Sequence, residues 1–164
     1  MKRIGLISDT HGHWDKKIAG FLKNCDEVWH AGDIGNLEIA EQLEDFKPLR
    51  AVYGNIDDAR IRSKYPKMLR FNCEDVDILI THIGGYPGRY EKEILAEIKQ
   101  NPPKLFISGH SHILKVIYDK KHDLLHMNPG AAGLSGFHTL KTALRFTINN
   151  NNIANLEILE IPRR

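Results

Sequence analysis

The sequence predicts an α/β fold arranged as a four-layer αββα sandwich, two packed mixed β-sheets flanked by helices. Three observations lead there. The first third alternates short apolar runs with helical periodicity, the last third carries only hairpin-like patterns, and one apolar run after another stops at a residue able to bind a metal ion. Strands alternating with helices over short connections imply right-handed crossovers and a parallel sheet. An antiparallel second half implies a second sheet packed on the first, with the helices outside.

Ile4-Gly5-Leu6-Ile7 reads as a buried strand, short, apolar and ended by polar residues. Trp14, Ile18, Phe21 and Leu22 recur on one helical face. Val28 to Ala31 is the second strand and ends at Gly32-Asp33. Ile39, Ala40, Leu43 and Phe46 form the next amphipathic helix, which stops near Pro48. Leu49 to Tyr53 is the third strand, ending at Gly54-Asn55. Asp57 to Pro66 reads as loop. Leu69 to Cys73 and Val76 to Thr81 are two strands around a tight turn, and Gly84-Gly85-Tyr86-Pro87-Gly88 is a loop by composition. Tyr90, Ile94, Leu95 and Ile98 make a helix that ends before Asn101-Pro102-Pro103. Leu105-Phe106-Ile107 is a buried strand. Two hairpins follow, Ile113–Tyr118 with Leu124–Met127, and Thr142–Ile148 with Ile153–Ile161 around an Asn-rich turn.

Composition narrows the function classes. At 164 residues, with 41% hydrophobic and 27% charged side chains, the chain fits one globular domain spanning 1–164. The net charge of +2 arises from 23 basic and 21 acidic residues that are interspersed, so no single-sign face invites specific nucleic-acid binding. Cys25 and Cys73 form no disulfide framework and read as free thiols of a reducing compartment, the cytoplasm. No window approaches the roughly 20 apolar residues of a membrane span.

Asp9 and His11, Asp33, Asn55, His82, and His110 and His112 all stand where apolar runs end, and in an open α/β sheet ligands bind at the carboxyl ends of strands. Taken singly, each pair has a plain explanation: Asp9 as a helix cap, the His-x-His as hydrogen-bonded histidines. Together they supply oxygen and imidazole donors without thiolate, which suits Mn²⁺, Fe, Zn²⁺ or Ni²⁺ rather than a structural zinc site. Seven ligands exceed one tetrahedral ion and suit two bridged by a carboxylate.

The ordered set Asp9-Thr10-His11, Gly32-Asp33, Gly54-Asn55-Ile56-Asp57, Thr81-His82 and Gly109-His110-Ser111-His112 resembles the calcineurin-like metallophosphoesterases, and within them the small bacterial and archaeal phosphodiesterases. Asn128-Pro129-Gly130 matches a turn these enzymes tend to carry. The resemblance implies that Asp9, His11 and His112 hold one divalent ion, that Asn55, His82 and His110 hold another, and that Asp33 bridges them. Mn²⁺ is the expected metal, with Ni²⁺, Fe, Zn²⁺ or Co²⁺ as alternatives. It further implies that a hydroxide between the ions attacks phosphorus in line, and that Asn55 and His82 help bind the phosphate of a small phosphoester. A phosphomonoesterase, or a scaffold with an unused centre, are the rivals; an exposed sheet edge would suit a homodimer.

Two departures stand out: His82 is followed by Ile83-Gly84-Gly85, without the further His that some small members carry, and Ile56 breaks the Gly-Asn motif. Many members have a His where this chain has Ile56, and Ile cannot protonate a leaving group. His13 is the alternative donor by position, against its plain role at a helix start. His30 and Asp57 read as supporting groups, and His122 as a solvated turn residue. His126 and His138 could approach the site only through folding. Trp14, Phe21 and Trp29 belong to the core by periodicity, while Tyr86, Arg89 and Tyr90 either line an entrance or sit in a solvated loop.

Overall fold

The structure, a computed structural model, describes residues 1–164. In chain order its elements are β1 (Lys2–Ile7), α1 (Lys16–Leu22), β2 (Glu27–His30), α2 (Leu37–Phe46), β3 (Leu49–Ala51), α3 (Ala59–Lys64), β4 (Met68–Cys73), β5 (Val76–Thr81), α4 (Lys92–Gln100), β6 (Leu105–Ile107), β7 (Leu114–Asp119), β8 (Leu124–Pro129), β9 (Leu140–Asn149) and β10 (Asn152–Pro162). They build two five-stranded sheets, β10-β9-β1-β2-β3 and β4-β5-β6-β8-β7.

Both sheets are mixed, as expected, because each joins parallel strands to antiparallel hairpin partners. In the first, β1, β2 and β3 are parallel and β9 lies antiparallel to β1. In the second, β5, β6 and β8 are parallel, with β4 and β7 antiparallel at the edges. The β9–β10 hairpin differs from expectation by extending the first sheet rather than the second. Leu144, Phe146 and Ile148 of β9 face between the sheets beside Ile4 and Leu6, while Ala143 faces the helices, so β9 is a two-sided strand that fits beside β1.

Three apolar clusters fill the layers. The central one, with Trp29 fully buried against Phe71 and Phe146, cements sheet to sheet. The second packs α1, α2 and α3 on the outer face of the first sheet through Ile18, Leu22, Ile39, Leu43 and Ile61. The third is smaller because α4 alone covers the second sheet, through Ile94 and Ile98 on Leu79, Phe106 and Leu124. Ile117 and Tyr118 on the β7 edge therefore stay exposed.

Helix α1 begins where Asp15 caps the Lys17 amide, and α2 where Asn36 caps Ile39. Helix α3 occupies a stretch expected to be loop. Its six residues bury only Ile61, too little for an amphipathic period, and its stability comes from Asp58, whose Oδ1 accepts from the Arg60 and Ile61 amides. Arg62 then reaches back from it to the carbonyls of Asp57 at 2.7 Å and Asn55 at 3.3 Å, which pins the loop after β3. No helix is long and apolar enough to cross a membrane.

Candidate metal centre

The carboxyl ends of β1, β2, β3, β5 and β6 converge, and the loops leaving them carry all seven candidate ligands. Two of those loops are zipped together by backbone hydrogen bonds: the Asp9, His11 and Gly12 amides donate to the Gly32, Asp33 and Ile34 carbonyls at 2.9, 3.0 and 2.8 Å. The local backbone is strained. Nine non-glycine residues have positive φ, and five are Asp9, His11, Asp33, His110 and His112, so the left-handed turns are concentrated where side chains must point into one space. Close approach also demands Gly54, since a Cβ there would lie 2.0 Å from Asp33 Oδ1.

Two groups result, Asp9 with His11 and His112, and Asp33 with His82 and His110, the donor atoms of each lying within 4.8 Å of one another. Asp33 Oδ2 stands between them, 3.1 Å from His82 Nε2 and 3.4 Å from His11 Nε2, while its Oδ1 accepts from the Ile56 amide at 3.0 Å. Asn55 joins the second group: its Oδ1 is 3.0 Å from His82 Nε2 and 3.1 Å from His110 Nδ1. Asp9 accepts from Ser8 Oγ at 2.6 Å and from the His110 amide at 3.1 Å through Oδ2. Its other oxygen, 3.1 Å from His112 Nε2, has no hydrogen-bond partner, and neither has His11 Nε2.

These residues fit a cation. The Ala31 carbonyl, 2.8 Å from His82 Nδ1, can only accept, so Nδ1 carries a hydrogen and a neutral His82 presents its Nε2 lone pair to Asn55 Oδ1 and Asp33 Oδ2. Three lone-pair atoms at such distances repel unless positive charge lies among them. Electrostatics say the same. Burial opposes ionisation of Asp9, but the surrounding imidazoles of His11, His112 and His82 and the hydrogen bond from Ser8 outweigh it and hold its carboxyl below the ordinary range. Burial likewise opposes ionisation of Asp33, and His11 and His82 outweigh it. Asp33 first and Asp9 second push His11 up to about 9, so the pocket recruits positive charge, as protons or as metal. His110 is exposed, which leaves one side open to a solute.

The supporting shell is ordered from the same loops. Asp57, nearly fully buried, accepts from the amides of Gly54 at 2.7 Å, Gly35 at 2.9 Å and Ile34 at 3.2 Å, tying the Asn55 loop to the Asp33 loop. His30 donates through Nε2 to Thr10 Oγ1 at 2.9 Å, accepts from the Gly32 amide at 3.0 Å, and is pushed down to about 4 by burial. Both act as the sequence suggested. His13 belongs to neither group and lies 4.0 Å from Asp15 at the start of α1. His122 is not solvated: it is half-buried and bonded at 2.9 Å to Asp119, which also accepts from Tyr90. That bond takes Tyr90 out of any entrance, whereas Tyr86 lines a crevice shared with His110, Ser111 and Lys115. His126 is buried, stacked on Phe106 and bonded to its carbonyl. His138, which the sequence left unplaced, contacts His112. Arg62 was not anticipated, because nothing in the sequence marks the short helix that carries it.

The chain is similar to known proteins in sequence and in fold. A probable metallophosphoesterase of Methanocaldococcus jannaschii is 32% identical over 136 residues, covering 78% of this chain and 67% of its own. An archaeal phosphodiesterase superposes with a TM-score of 0.78 at 22% identity, over 97% of this chain and 99% of its own, and Vps29 of Chaetomium thermophilum with 0.76 at 16% identity, over 98% and 97%. The profile of the calcineurin-like phosphoesterase superfamily domain matches residues 1–151, and the chain belongs to that superfamily of metal-binding phosphoesterases.

Proposed function

We propose that this protein is a phosphodiesterase with a dinuclear centre, in which Asp9, His11 and His112 hold one divalent ion, Asn55, His82 and His110 the other, and Asp33 both. The observation that carries the proposal is the position of Asp33 Oδ2, within 3.4 Å of an imidazole from each group. Divalent ions held by these residues would supply Lewis-acid charge and would lower the pKa of water from ~15.7 to about 7, making hydroxide available as nucleophile at neutral pH, and Mn²⁺ is the metal we favour.

The chain's own residues bind and orient. Asn55 directs Oδ1 into the centre, which leaves its amide nitrogen to donate to a phosphate oxygen, and His82 is held to the Ala31 carbonyl so that its ring cannot rotate away. His110 stands at the open side, where the ester enters. Ile56 follows Asn55 and offers no proton, and His13 faces Asp15, so neither protonates the departing oxygen. The chemistry favours diesters whose leaving group is stable as an anion.

Turnover of a bis-aryl phosphate against its mono-aryl ester, after chelation and reloading with Mn²⁺, tests the proposal. The diester should be faster; a faster monoester would replace the reading with a phosphomonoesterase. Failure to take up any transition metal would leave only a scaffold. Two buried free thiols, Cys25 and Cys73, suit the reducing cytoplasm as its place of work.

A further inference from the structure

The segment between β8 and β9 folds over the end of β1. Its Ala132 amide donates to the Ser8 carbonyl at 2.8 Å and its Gly133 amide to the Asp9 carbonyl at 3.0 Å. Contact is so close that a Cβ on Gly133 would meet the Thr10 carbonyl oxygen at 2.2 Å, and one on Gly136, whose φ is +128°, would meet His112 Nδ1 at 2.3 Å. His138, carried by this segment, stands edge to face with His112 at a centroid distance of 5.1 Å.

For neutral rings, these contacts admit one arrangement of hydrogens. The Gly133 carbonyl can only accept, so His138 Nε2, 2.8 Å away, donates. His138 Nδ1 then has a lone pair, and it faces His112 Nδ1 at 3.3 Å, which must carry the hydrogen between them. His112 Nε2 is left with its lone pair, 3.1 Å from the unpartnered Asp9 oxygen. The chain Gly133 carbonyl, His138, His112 therefore ends at the point where the first ion would sit. His82 achieves the same with a backbone carbonyl alone, Ala31. Of these two rings, His112 is the one whose tautomer is set by a replaceable side chain.

We propose that His138 is a positioning residue that fixes the tautomer and ring orientation of His112, and through it the affinity of the Asp9–His11–His112 group for its ion. This rests on the ligand role given to His112 above. An outer partner of a metal-binding imidazole typically contributes about 10–100-fold in metal affinity.

The test uses the full chain in two measurements. In metal-free protein, long-range proton–nitrogen-15 correlation reads the His112 tautomer. The expected form carries its hydrogen on Nδ1, and His138→Phe, which keeps a ring but no acceptor, should abolish that preference. In metal titrations with Co²⁺, His138→Phe should weaken one ion by about 10–100-fold and spare the other. His138→Asn, whose Oδ1 can accept from His112 Nδ1, should recover most of the loss. A wild-type His112 carrying its hydrogen on Nε2, or equal affinities for the Phe and Asn variants, would overturn the proposal. No Co²⁺ uptake by the wild type would instead overturn the ligand assignment, with the tautomer still testing the relay.

Discussion

Asp57 gives the centre its rigidity, and removing it has a calculable cost. Its carboxylate accepts three buried or half-buried amides, those of Gly54, Gly35 and Ile34, and links the loop of Asn55 to the loop of Asp33. Asp57→Ala strands all three donors. An unsatisfied buried donor costs ~1–3 kcal/mol, but the three are coupled, and water entering the space left by the carboxylate recovers part. A net loss of about 4 kcal/mol follows. With a urea m-value of roughly 2 kcal/mol/M for a domain of this size, the unfolding midpoint of metal-free protein should fall by about 2 M. Asn55 and Asp33 lose their common anchor, whereas Asp9, His11 and His112 do not, so in metal titrations the His82–His110 side should weaken first. A midpoint shift below about 0.5 M in chelator, or earlier loss on the His112 side, would refute the reasoning.

Gly54→Ala puts a methyl group 2.0 Å from Asp33 Oδ1 and 2.3 Å from its backbone nitrogen, so the loops must part; turnover should fall about 100-fold, as misplacement by roughly 1 Å can cause, and an unchanged rate would show that the loops are not held as described. His126 is fully buried, and burial, the largest influence, pushes it down to about 4 against the pull of the Phe106 carbonyl. Because its folded pKa lies below the unfolded value of about 6.5, its contribution is complete above pH 6.5 and is lost as pH falls toward 4. At pH 5 the wild type should have lost about 2 kcal/mol through this residue, a loss that His126→Phe escapes. Denaturant melts of both proteins at pH 7 and pH 5 check it, and parallel losses would contradict it.

Much of the architecture was legible because buried strands announce themselves. Ile4–Ile7, Ile78–Ile80 and Leu105–Ile107 are apolar on both faces, and a strand covered on both faces must lie inside a sheet. The candidate site was legible for a related reason: each of these runs is cut short by a polar residue, and parallel strands bring their carboxyl ends together. What stayed hidden depended on tertiary choice. A hairpin pattern says that β9 and β10 pair but not which sheet they join, and that was decided by the two-sided burial of Ala143 and Leu144. Helix α3 has one buried residue and a capping Asp58, too little for a period. His122 looked solvated because its partners, Asp119 and through it Tyr90, come from a neighbouring strand and a distant loop. His138 lies in a segment without pattern and gains its meaning only from the 3.3 Å contact with His112.

The central claim is that Asp33 joins two ion sites, and anomalous diffraction from crystals of this protein loaded with Mn²⁺ tests it most directly. The account predicts two peaks roughly 3.5–4 Å apart on either side of the Asp33 carboxylate, one bordered by Asp9, His11 and His112, the other by Asn55, His82 and His110. A single peak, or two that do not share Asp33, would contradict it.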